Sequence, residues 1–348
     1  MATTDQDLIV ARPEGLYCPA GDFFIDPWRP VARAVVTHAH ADHARTGHGD
    51  YLAAHDARHV LRARLGQIRL QTVAYGQPLT IGAARVSLHP AGHVLGSAQV
   101  RIEAQGSVSV VSGDYKLEPE ATCVAFEPVP CDTFITEATF GLPVYRWPDT
   151  SQVAADIVAW RRECEARGEA AVLLCYALGK AQRILAELLP LETQPALLHG
   201  AIATGVAVYR EAGIPMLATE PVSEQERGAA FAGKLILAPP SAAGSTWMRR
   251  FGDYSDAFAS GWMRLRGTRR RRGVDRGFVL SDHADWPGLL WAIEQTGAER
   301  VMVTHGSIGV LVRHLREQGL DAQGFNTEYG DDEEENLATE PTIAEMPA

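Results

Sequence analysis

The sequence of 348 residues lacks the marks of a secreted or membrane-spanning protein. No apolar run approaches the roughly 20 residues that a helix needs to cross a bilayer. The opening residues, MATTDQDLIVARPEG, contain no basic segment followed by an apolar stretch, which argues against a secretory signal. We therefore expect a cytoplasmic globular protein without a membrane partner, with one large or two intertwined domains.

Cysteine is scarce and scattered. The five cysteines form no CxxC pair, and their number is odd: Cys18, Cys123, Cys131, Cys164 and Cys175. This pattern argues against a disulfide framework and against a structural zinc knuckle. We expect free thiols that are buried or half-buried.

Positive charge is in deficit, since the net charge is −11. Such a balance argues against a nucleic-acid partner, because phosphate contacts require Lys and Arg. The charges are unevenly placed, however. Six acids crowd into Glu328–Glu335, in a segment at 327–348 that we predict to be disordered. Without this acidic segment the rest of the chain is closer to neutral, and it carries one dense basic patch, because seven arginines fall within Arg264–Arg276.

The hydrophobic pattern changes near residue 150. Short apolar runs separated by Gly and Pro fill the first third, which is typical of strands and turns. Ser151–Arg167 has helical periodicity and is followed by alternating strand and helix signals to about Ala238, which indicates a parallel α/β sheet. After the arginine patch the pattern predicts a strand at Gly277–Leu280, a helix at Trp286–Gln295, a strand at Arg300–Thr304 and a helix at Ile308–Gln318.

The strongest chemical signal is the run His38-Ala-His40-Ala-Asp42-His43, directly after the apolar strand Ala34–Thr37. Imidazole suits zinc and similar ions, and a carboxylate completes a hydrolytic site. These side chains cannot all face one way in a loop, but they can divide between two adjacent ions. The alternative is a polar turn with incidental histidines, which such a dense cluster disfavours.

Three further polar residues lie in similar settings. His93 lies in a glycine-flanked loop between two predicted strands, Asp114 at the end of a strand, and His305 at the end of another. Each of them alone is more typical of a turn or a cap. Together with the cluster they would complete two coordination shells.

The motifs HAHADH, AGHVLGS, SGDYK, TEATFG, SDHAD and VTHGS occur in this order along the chain. They resemble the metallo-β-lactamase superfamily and, within it, the β-CASP nuclease branch, from about Leu8 to Phe325. The opening YCPAGDFFIDPW and the short insert are similar to bacterial ligase-associated DNA exonucleases. Those enzymes are encoded beside an ATP-dependent DNA ligase and a helicase and are assigned to DNA repair.

The resemblance implies an α/β fold, namely the four-layer αβ/βα sandwich of the superfamily with an inserted α/β domain. The sandwich would comprise residues 1–148 and 277–326, the inserted β-CASP domain 149–276, and the acidic tail 327–348. The resemblance also implies a metal-dependent DNA exonuclease that acts on single strands or duplex ends.

A ligand set follows from the same resemblance. Two divalent ions, Zn²⁺ or else Mn²⁺, would be held by His38, His40 and His93 on one side, by Asp42, His43 and His305 on the other, and by a bridging Asp114. Glu137 matches the branch's acidic motif and His283 the histidine of its SxHxD motif. We expect Asp42, His283 and Glu137 to be catalytic, with His283 as general acid and Glu137 orienting it.

Two segments are candidates for substrate binding. Residues 174–183, LCYALGKAQR, resemble the FALGRxQE segment of the branch, where a helix start and Lys180 could bind a phosphate. A plain strand–helix turn is the equal alternative. The arginines of the basic patch, above all Arg269, Arg270, Arg271 and Arg272, could follow a nucleic-acid backbone, unless they form a solvated loop.

Other functions compete with a DNA exonuclease. A ribonuclease would use the same chemistry, and a histidine at the position of His305 is more typical of RNA-processing members of the branch. An inactive nucleic-acid-binding subunit is disfavoured, because every expected ligand position is filled. A thioesterase or lactamase is disfavoured by the basic insert, which suits a polyanionic polymer better than a small ester.

Overall fold

The computed structural model describes residues 7–222 and 226–325, so the predicted acidic tail lies outside the described residues. Within them the chain forms two compact units. The first unit comprises residues 7–146 and 283–325, and the second comprises 147–222 and 226–282.

The described residues form strands and α-helices in the following order. The strands are β1 (Val10–Arg12), β2 (Gly15–Cys18), β3 (Phe23–Ile25), β4 (Arg33–Val35), β5 (Asp50–Ala54), β6 (Leu70–Val73), β7 (Leu79–Ile81), β8 (Ala84–Pro90), β9 (Ala98–Ala104), β10 (Ser107–Val111), β11 (Thr133–Ala138), β12 (Ala170–Leu174), β13 (Ala196–Leu198), β14 (Thr219–Pro221), β15 (Leu235–Ala238), β16 (Tyr254–Ala259), β17 (Arg276–Phe278), β18 (Arg300–Gly306) and β19 (Asp321–Gly324). The α-helices are α1 (Arg58–Leu65), α2 (Thr150–Arg167), α3 (Lys180–Leu188), α4 (Gly200–Glu211), α5 (Arg266–Arg272), α6 (Trp286–Thr296) and α7 (Ile308–Glu317).

Two sheets form the first unit. One is 6-stranded in the order β1-β2-β3-β4-β5-β6, and the other is 7-stranded in the order β19-β18-β11-β10-β9-β8-β7. Alternate residues of the second sheet point to opposite faces. Val111 and Ile135 pack against Ile25 and Val35 of the first sheet, so the two sheets share one core. Val110, Phe134 and Val301 face the other way, against apolar residues of α6 and α7.

The helix α6 begins where the sequence provides a cap. The Asp285 carboxylate accepts a hydrogen bond from the Gly288 amide at 2.9 Å, and Pro287 occupies the first turn. Gly297 ends the helix in the left-handed conformation, at φ 65°. A carboxylate at the start and glycine at the end are the usual helix boundaries, which explains why this helix was predictable.

The second unit contains a 6-stranded sheet in the order β14-β13-β15-β12-β16-β17. All of its strand pairs are parallel. The central strand β12 is buried throughout, as expected for a strand with neighbours on both edges and both faces. Helix α2 begins at the Asp149 cap and buries Val153, Ile157 and Trp160.

The predicted α/β organisation is confirmed, and α6 begins at the predicted residue, Trp286. Two predicted strands end earlier than expected, and the one predicted at Gly277–Leu280 ends at Phe278. The strand predicted at Ala34–Thr37 ends at Val35, because the Thr37 amide donates to the Asp26 carboxylate at 2.7 Å and leaves the sheet. Within the arginine patch, Arg266–Arg272 form the short helix α5, for which no secondary structure was predicted, and α1 was not predicted either.

The expectation for the cysteines is also confirmed. All five thiols are free; Cys123 is half-buried and the other four are buried. Among the helices of the described residues, none is both long enough and apolar enough to cross a membrane.

Replacement of a buried leucine of β12 tests how far the second unit depends on this strand. Leu173 is 0% exposed, so Leu173→Ala should lower the free energy of unfolding by about 2–5 kcal/mol through a residual cavity. Leu189→Ala is the control, since Leu189 is 42% exposed and its loss should cost less than about 0.5 kcal/mol. Urea unfolding followed by tryptophan fluorescence measures both, and equal costs would contradict the assignment of Leu173 to the core.

Candidate metal centre

One edge of the 7-stranded sheet gathers polar side chains. Strands β10, β11 and β18 are neighbours and parallel, so their carboxyl ends meet at the same edge. Asp114 follows β10, Glu137 lies near the end of β11, and His305 lies near the end of β18. Strand β8 ends at this edge as well, because it is antiparallel to β9, which is antiparallel to β10. Its loop carries His93.

The first potential ion position consists of His38, His40, His93 and Asp114. One ligand atom from each lies within 4.8 Å of the others. Nε2 of His38 lies 3.4 Å and Nε2 of His93 3.7 Å from Oδ2 of Asp114. Nδ1 of His40 lies 3.0 Å from Nε2 of His93. Three imidazoles and one carboxylate that converge in this way are a common donor set for zinc.

A second group of donors shares Asp114. It contains Glu137 and His305, again with all ligand atoms within 4.8 Å. Nε2 of His305 lies 3.2 Å from Oδ1 of Asp114. On the side of Oδ2, Nε2 of His43 lies 3.4 Å from Asp114 and 3.6 Å from Oδ2 of Asp42. The structure therefore brings together all seven residues expected as metal ligands and adds Glu137 to their surroundings.

A bound cation would explain the buried polar atoms of this centre better than packing of the protein alone. Nε2 of His38 and Oδ1 of Asp114 are fully buried and, apart from the ion-pair contacts given above, make no hydrogen bond among the described residues. Buried polar atoms are rarely left in this state, so each such atom calls for an explanation. A divalent ion bound by these atoms would supply it.

Electrostatics in the centre point the same way. Burial lowers the pKa of His38 well below its usual value, so this imidazole is in the neutral form that binds metals. Burial by itself would raise the pKa of Asp114, but the neighbouring His43 and His38 hold it well below its usual range. Burial would likewise lower the pKa of His43, but the carboxylates of Asp114, Asp42 and Asp26 hold it well above its usual value. A divalent cation would replace the proton of His43 as the charge partner of these carboxylates.

Three residues that the sequence analysis did not single out orient the imidazoles. Oδ2 of Asp26 lies 2.7 Å from Nδ1 of His43, and the same carboxylate accepts from the Thr37 hydroxyl. Oγ1 of Thr37 lies 3.0 Å from Nδ1 of His38, and Oγ1 of Thr304 lies 2.9 Å from Nδ1 of His305. Such partners fix the ring so that Nε2 faces the metal position. The signals were slight: an acid before proline in FFIDPW, and a threonine just before His38 and just before His305.

Glycines beside the ligands allow this close packing. Gly113, before Asp114, has φ 57°, and a Cβ there would lie 2.7 Å from that of Thr37. Gly306, after His305, has φ 84°, and a Cβ there would lie 2.2 Å from the Ala138 carbonyl oxygen. Glycine alone adopts such conformations at no cost and lets another backbone approach this closely.

His283 and Glu137 form a pair beside the metal positions. Nδ1 of His283 lies 2.9 Å from Oε2 and 3.2 Å from Oε1 of Glu137. The Glu137 side chain is fully buried, whereas that of His283 is 21% exposed. The Tyr115 amide also donates to Oε1 of Glu137 at 2.7 Å. The His283 ring lies 4.6 Å from that of His93, so a partly accessible imidazole is held next to the metal ligands.

The candidate substrate-binding residues lie in the second unit. Lys180 is 2% exposed, and its Nζ pairs with Oδ2 of Asp282 at 2.8 Å. Arg269, Arg270 and Arg271 are exposed on α5, and the guanidinium of Arg272 lies 5.2 Å above the Phe258 ring. The phosphate role of Lys180 and the nucleic-acid role of the arginines stay predictions.

The fold and the centre define an α/β protein with donors for two adjacent metal ions. No family model matches the chain. A Probable DNA ligase of Opitutus terrae is 36% identical over 313 residues, which are 88% of this chain and 30% of the relative. Endoribonuclease YSH1 of Gibberella zeae is 32% identical over 122 residues, which are 34% of this chain and 14% of the relative.

These relatives are much longer than the matched regions. Endoribonuclease YSH1 of Eremothecium gossypii is 29% identical over 119 residues, which are 34% of this chain and 15% of the relative. The chain thus spans less than a third of each of these curated relatives. Among solved structures, a protein of unknown function from Enterococcus faecalis V583 matches 78% of this chain and 74% of its own, with a TM-score of 0.51 and 12% identity. At this identity the likeness is one of fold.

Replacement of Gly306 tests whether backbone geometry maintains the centre. In Gly306→Ala the new Cβ would collide with Ala138 and displace His305, so metal affinity should fall by roughly 10- to 100-fold. Gly297→Ala is the matched control, since Gly297 also has a positive φ of 65° but no atom within 4 Å of the new Cβ. Competition with a chelating dye measures the affinity, and wild-type affinity in Gly306→Ala would contradict the expectation.

Proposed function

We propose that this chain is a metal-dependent nuclease that hydrolyses phosphodiester bonds in DNA from an end. The observation that carries the proposal is the convergence of His38, His40, His43, His93 and His305 on the buried carboxylate of Asp114. A partly accessible His283, held by Glu137, stands beside them. This combination provides metal ligands and a proton donor in one place.

The proposal includes a family and a domain organisation. We place the chain in the β-CASP branch of the metallo-β-lactamase superfamily, with a four-layer αβ/βα sandwich at 1–148 and 277–326 and an inserted domain at 149–276. These proposed bounds differ by a few residues from those of the two compact units, which divide the chain after residues 146 and 282. Two facing sheets with α6 and α7 behind one of them support the sandwich. The parallel sheet of the second unit supports an inserted α/β domain.

The chain would hold two divalent ions, Zn²⁺ or Mn²⁺. His38, His40 and His93 would bind one, Asp42, His43 and His305 the other, with Asp114 between them; Glu137 lies close enough to Asp114 and His305 to act on the second position as well. When bound, such a pair supplies an activated water and neutralises charge on the phosphate.

His283 would act as the general acid. Its Nδ1 faces the Glu137 carboxylate, so the proton that it gives to the leaving oxygen is the one on Nε2. The Glu137 carboxylate would fix the tautomer and stabilise the imidazolium, while the Tyr115 amide holds the carboxylate in place. Histidine suits this role because its unperturbed pKa lies near neutral pH.

DNA is the favoured substrate because nearly the whole chain matches part of a protein named as a DNA ligase. A nuclease that trims ends would prepare them for joining, which supports a DNA ligase as the proposed partner. The resemblance implies a helicase as a second proposed partner. The proposed location is the cytoplasm. RNA is the second candidate, since two relatives matched over a third of the chain are named endoribonucleases. The exposed arginines of α5 would contact the phosphate backbone of either polymer.

Two substitutions separate metal binding from proton transfer. Asp42→Asn should abolish hydrolysis with loss of metal, because it removes a charged ligand. His283→Ala should lower kcat by roughly 10²- to 10⁴-fold with full metal content, because only the acid is lost. Elemental analysis and digestion of labelled DNA measure both properties, and a fully active His283→Ala enzyme would refute the acid assignment.

Parallel digestion of labelled DNA and RNA tests the substrate. Single-stranded and duplex forms, with free or blocked ends, are supplied with Zn²⁺ or Mn²⁺. We expect DNA with free ends to be degraded and end-blocked DNA to persist. Cleavage of RNA with inert DNA would overturn the proposal in favour of the ribonuclease, and metal-loaded protein that cleaves neither would overturn both.

A further inference from the structure

A buried group of charges in the second unit takes no part in the chemistry proposed above. It consists of Lys180 and Arg183, each 2% exposed on helix α3, and Asp282, 5% exposed. Two cations therefore share one carboxylate away from water. Burying charges is costly, so such a group persists only where its geometry and hydrogen bonds are good.

The contacts of this group converge on the segment Ser281–Asp282. Nζ of Lys180 lies 2.8 Å from Oδ2 of Asp282, and Nη1 of Arg183 lies 3.0 Å from Oδ1. Nη1 of Arg183 also donates to the Ser281 carbonyl, and Nη2 donates to Oγ1 of Thr150 at 2.9 Å. Both the side chain of Asp282 and the backbone before it are thus held.

The motif ALGKAQR supplies these contacts as a unit. Oε1 of Gln182 accepts from the Gly179 amide at 2.7 Å, and its Nε2 donates to the Ala177 carbonyl at 3.0 Å. Gln182 therefore closes the turn that begins α3. With the turn closed, Lys180 and Arg183, three residues apart, project from the same face of the helix towards Asp282.

A buried thiol lies beside this group of charges. Cys175, which interacts electrostatically with Lys180 and Asp282, is fully buried, and burial raises the pKa of its thiol to about 12. In such surroundings a buried ion pair adds little net stability over an apolar group of the same shape, but it can specify one conformation. The group is therefore better suited to fixing a position than to strengthening the fold.

Asp282 is the residue directly before His283. We propose that Lys180, Arg183 and Asp282 form a clamp that fixes the backbone leading into His283 and thereby positions the general acid. The three are positioning residues, and the motif ALGKAQR serves the acid rather than a phosphate of the substrate. This inference rests on the proposed function of His283.

The two roles for Lys180 predict different kinetics. A lysine that contacts phosphate contributes to binding, so its loss would raise KM and weaken the salt dependence of KM. A lysine that positions the acid affects the step in which the leaving oxygen is protonated, so its loss would lower kcat with little change in KM.

Lys180→Met and Arg183→Met test the clamp, because each leaves one cation on Asp282 and so avoids an unpaired buried charge. We expect kcat on DNA to fall on the order of 10- to 100-fold, as small misplacements of catalytic groups cause. The p-nitrophenyl ester of thymidine 5′-monophosphate is the second substrate. Its leaving group needs little protonation, so its kcat should be nearly unchanged.

Arg161→Met is the matched control within the same unit. Arg161 is also buried and pairs with Glu192 at 2.9 Å, and it donates to Gln194 and to the Gly233 carbonyl, which are distant in sequence from residues 281–283. We expect wild-type kcat on both substrates. Equal losses on DNA and on the aryl ester, a rise in KM alone, or unchanged kcat in Lys180→Met would each overturn the clamp.

An independent readout separates the clamp from the proposed function. The imidazole resonances of His283, assigned by comparison with His283→Ala, should shift in Lys180→Met and Arg183→Met but not in Arg161→Met. If the wild-type protein cleaves no nucleic acid, the proposed function fails, and these resonances still test the clamp. Unshifted resonances would overturn it.

Discussion

The carboxylate of Asp114 lies almost wholly out of water and within 3.7 Å of four imidazoles. Burying an isolated carboxylate would cost much free energy. The imidazoles around Asp114 compensate its charge. The negative charge of Asp114 helps to raise the pKa of His43. A cation bound to this carboxylate would also account for the buried polar atoms that lack a hydrogen bond. The same negative charge makes the site receptive to divalent metal ions.

The rest of the first unit places the imidazoles around this carboxylate. Parallel neighbours in the 7-stranded sheet deliver Asp114, Glu137 and His305 to one edge. Outside the ligand shell, Asp26 and the threonines before two of the histidines turn each ring. Glycines at positive φ then let the strand ends approach closely enough for the donors to meet. The centre thus depends on backbone geometry as much as on the ligands.

The residues that support hydrolysis differ from those that support the choice of substrate. The candidate metal ligands would suit hydrolysis in general, whereas the proposed choice of DNA depends on the exposed arginines of α5 and on similarity to a protein named as a ligase. His283 pairs with Glu137. It directly follows Asp282, the carboxylate that Lys180 and Arg183 hold in the proposed clamp.

Sequence by itself determined the α/β organisation and the residue types for a metal centre, because strand and helix periodicities and a run such as HAHADH are local properties. Helices with clear caps, such as α6, were predictable for the same reason. Tertiary structure alone decided what each side chain contacts. Asp26 meets His43, Glu137 meets His283, and Lys180 turns into a buried pair rather than towards solvent. Such partners are distant along the chain, and only the order of strands in the sheets and the packing of α3 bring them together.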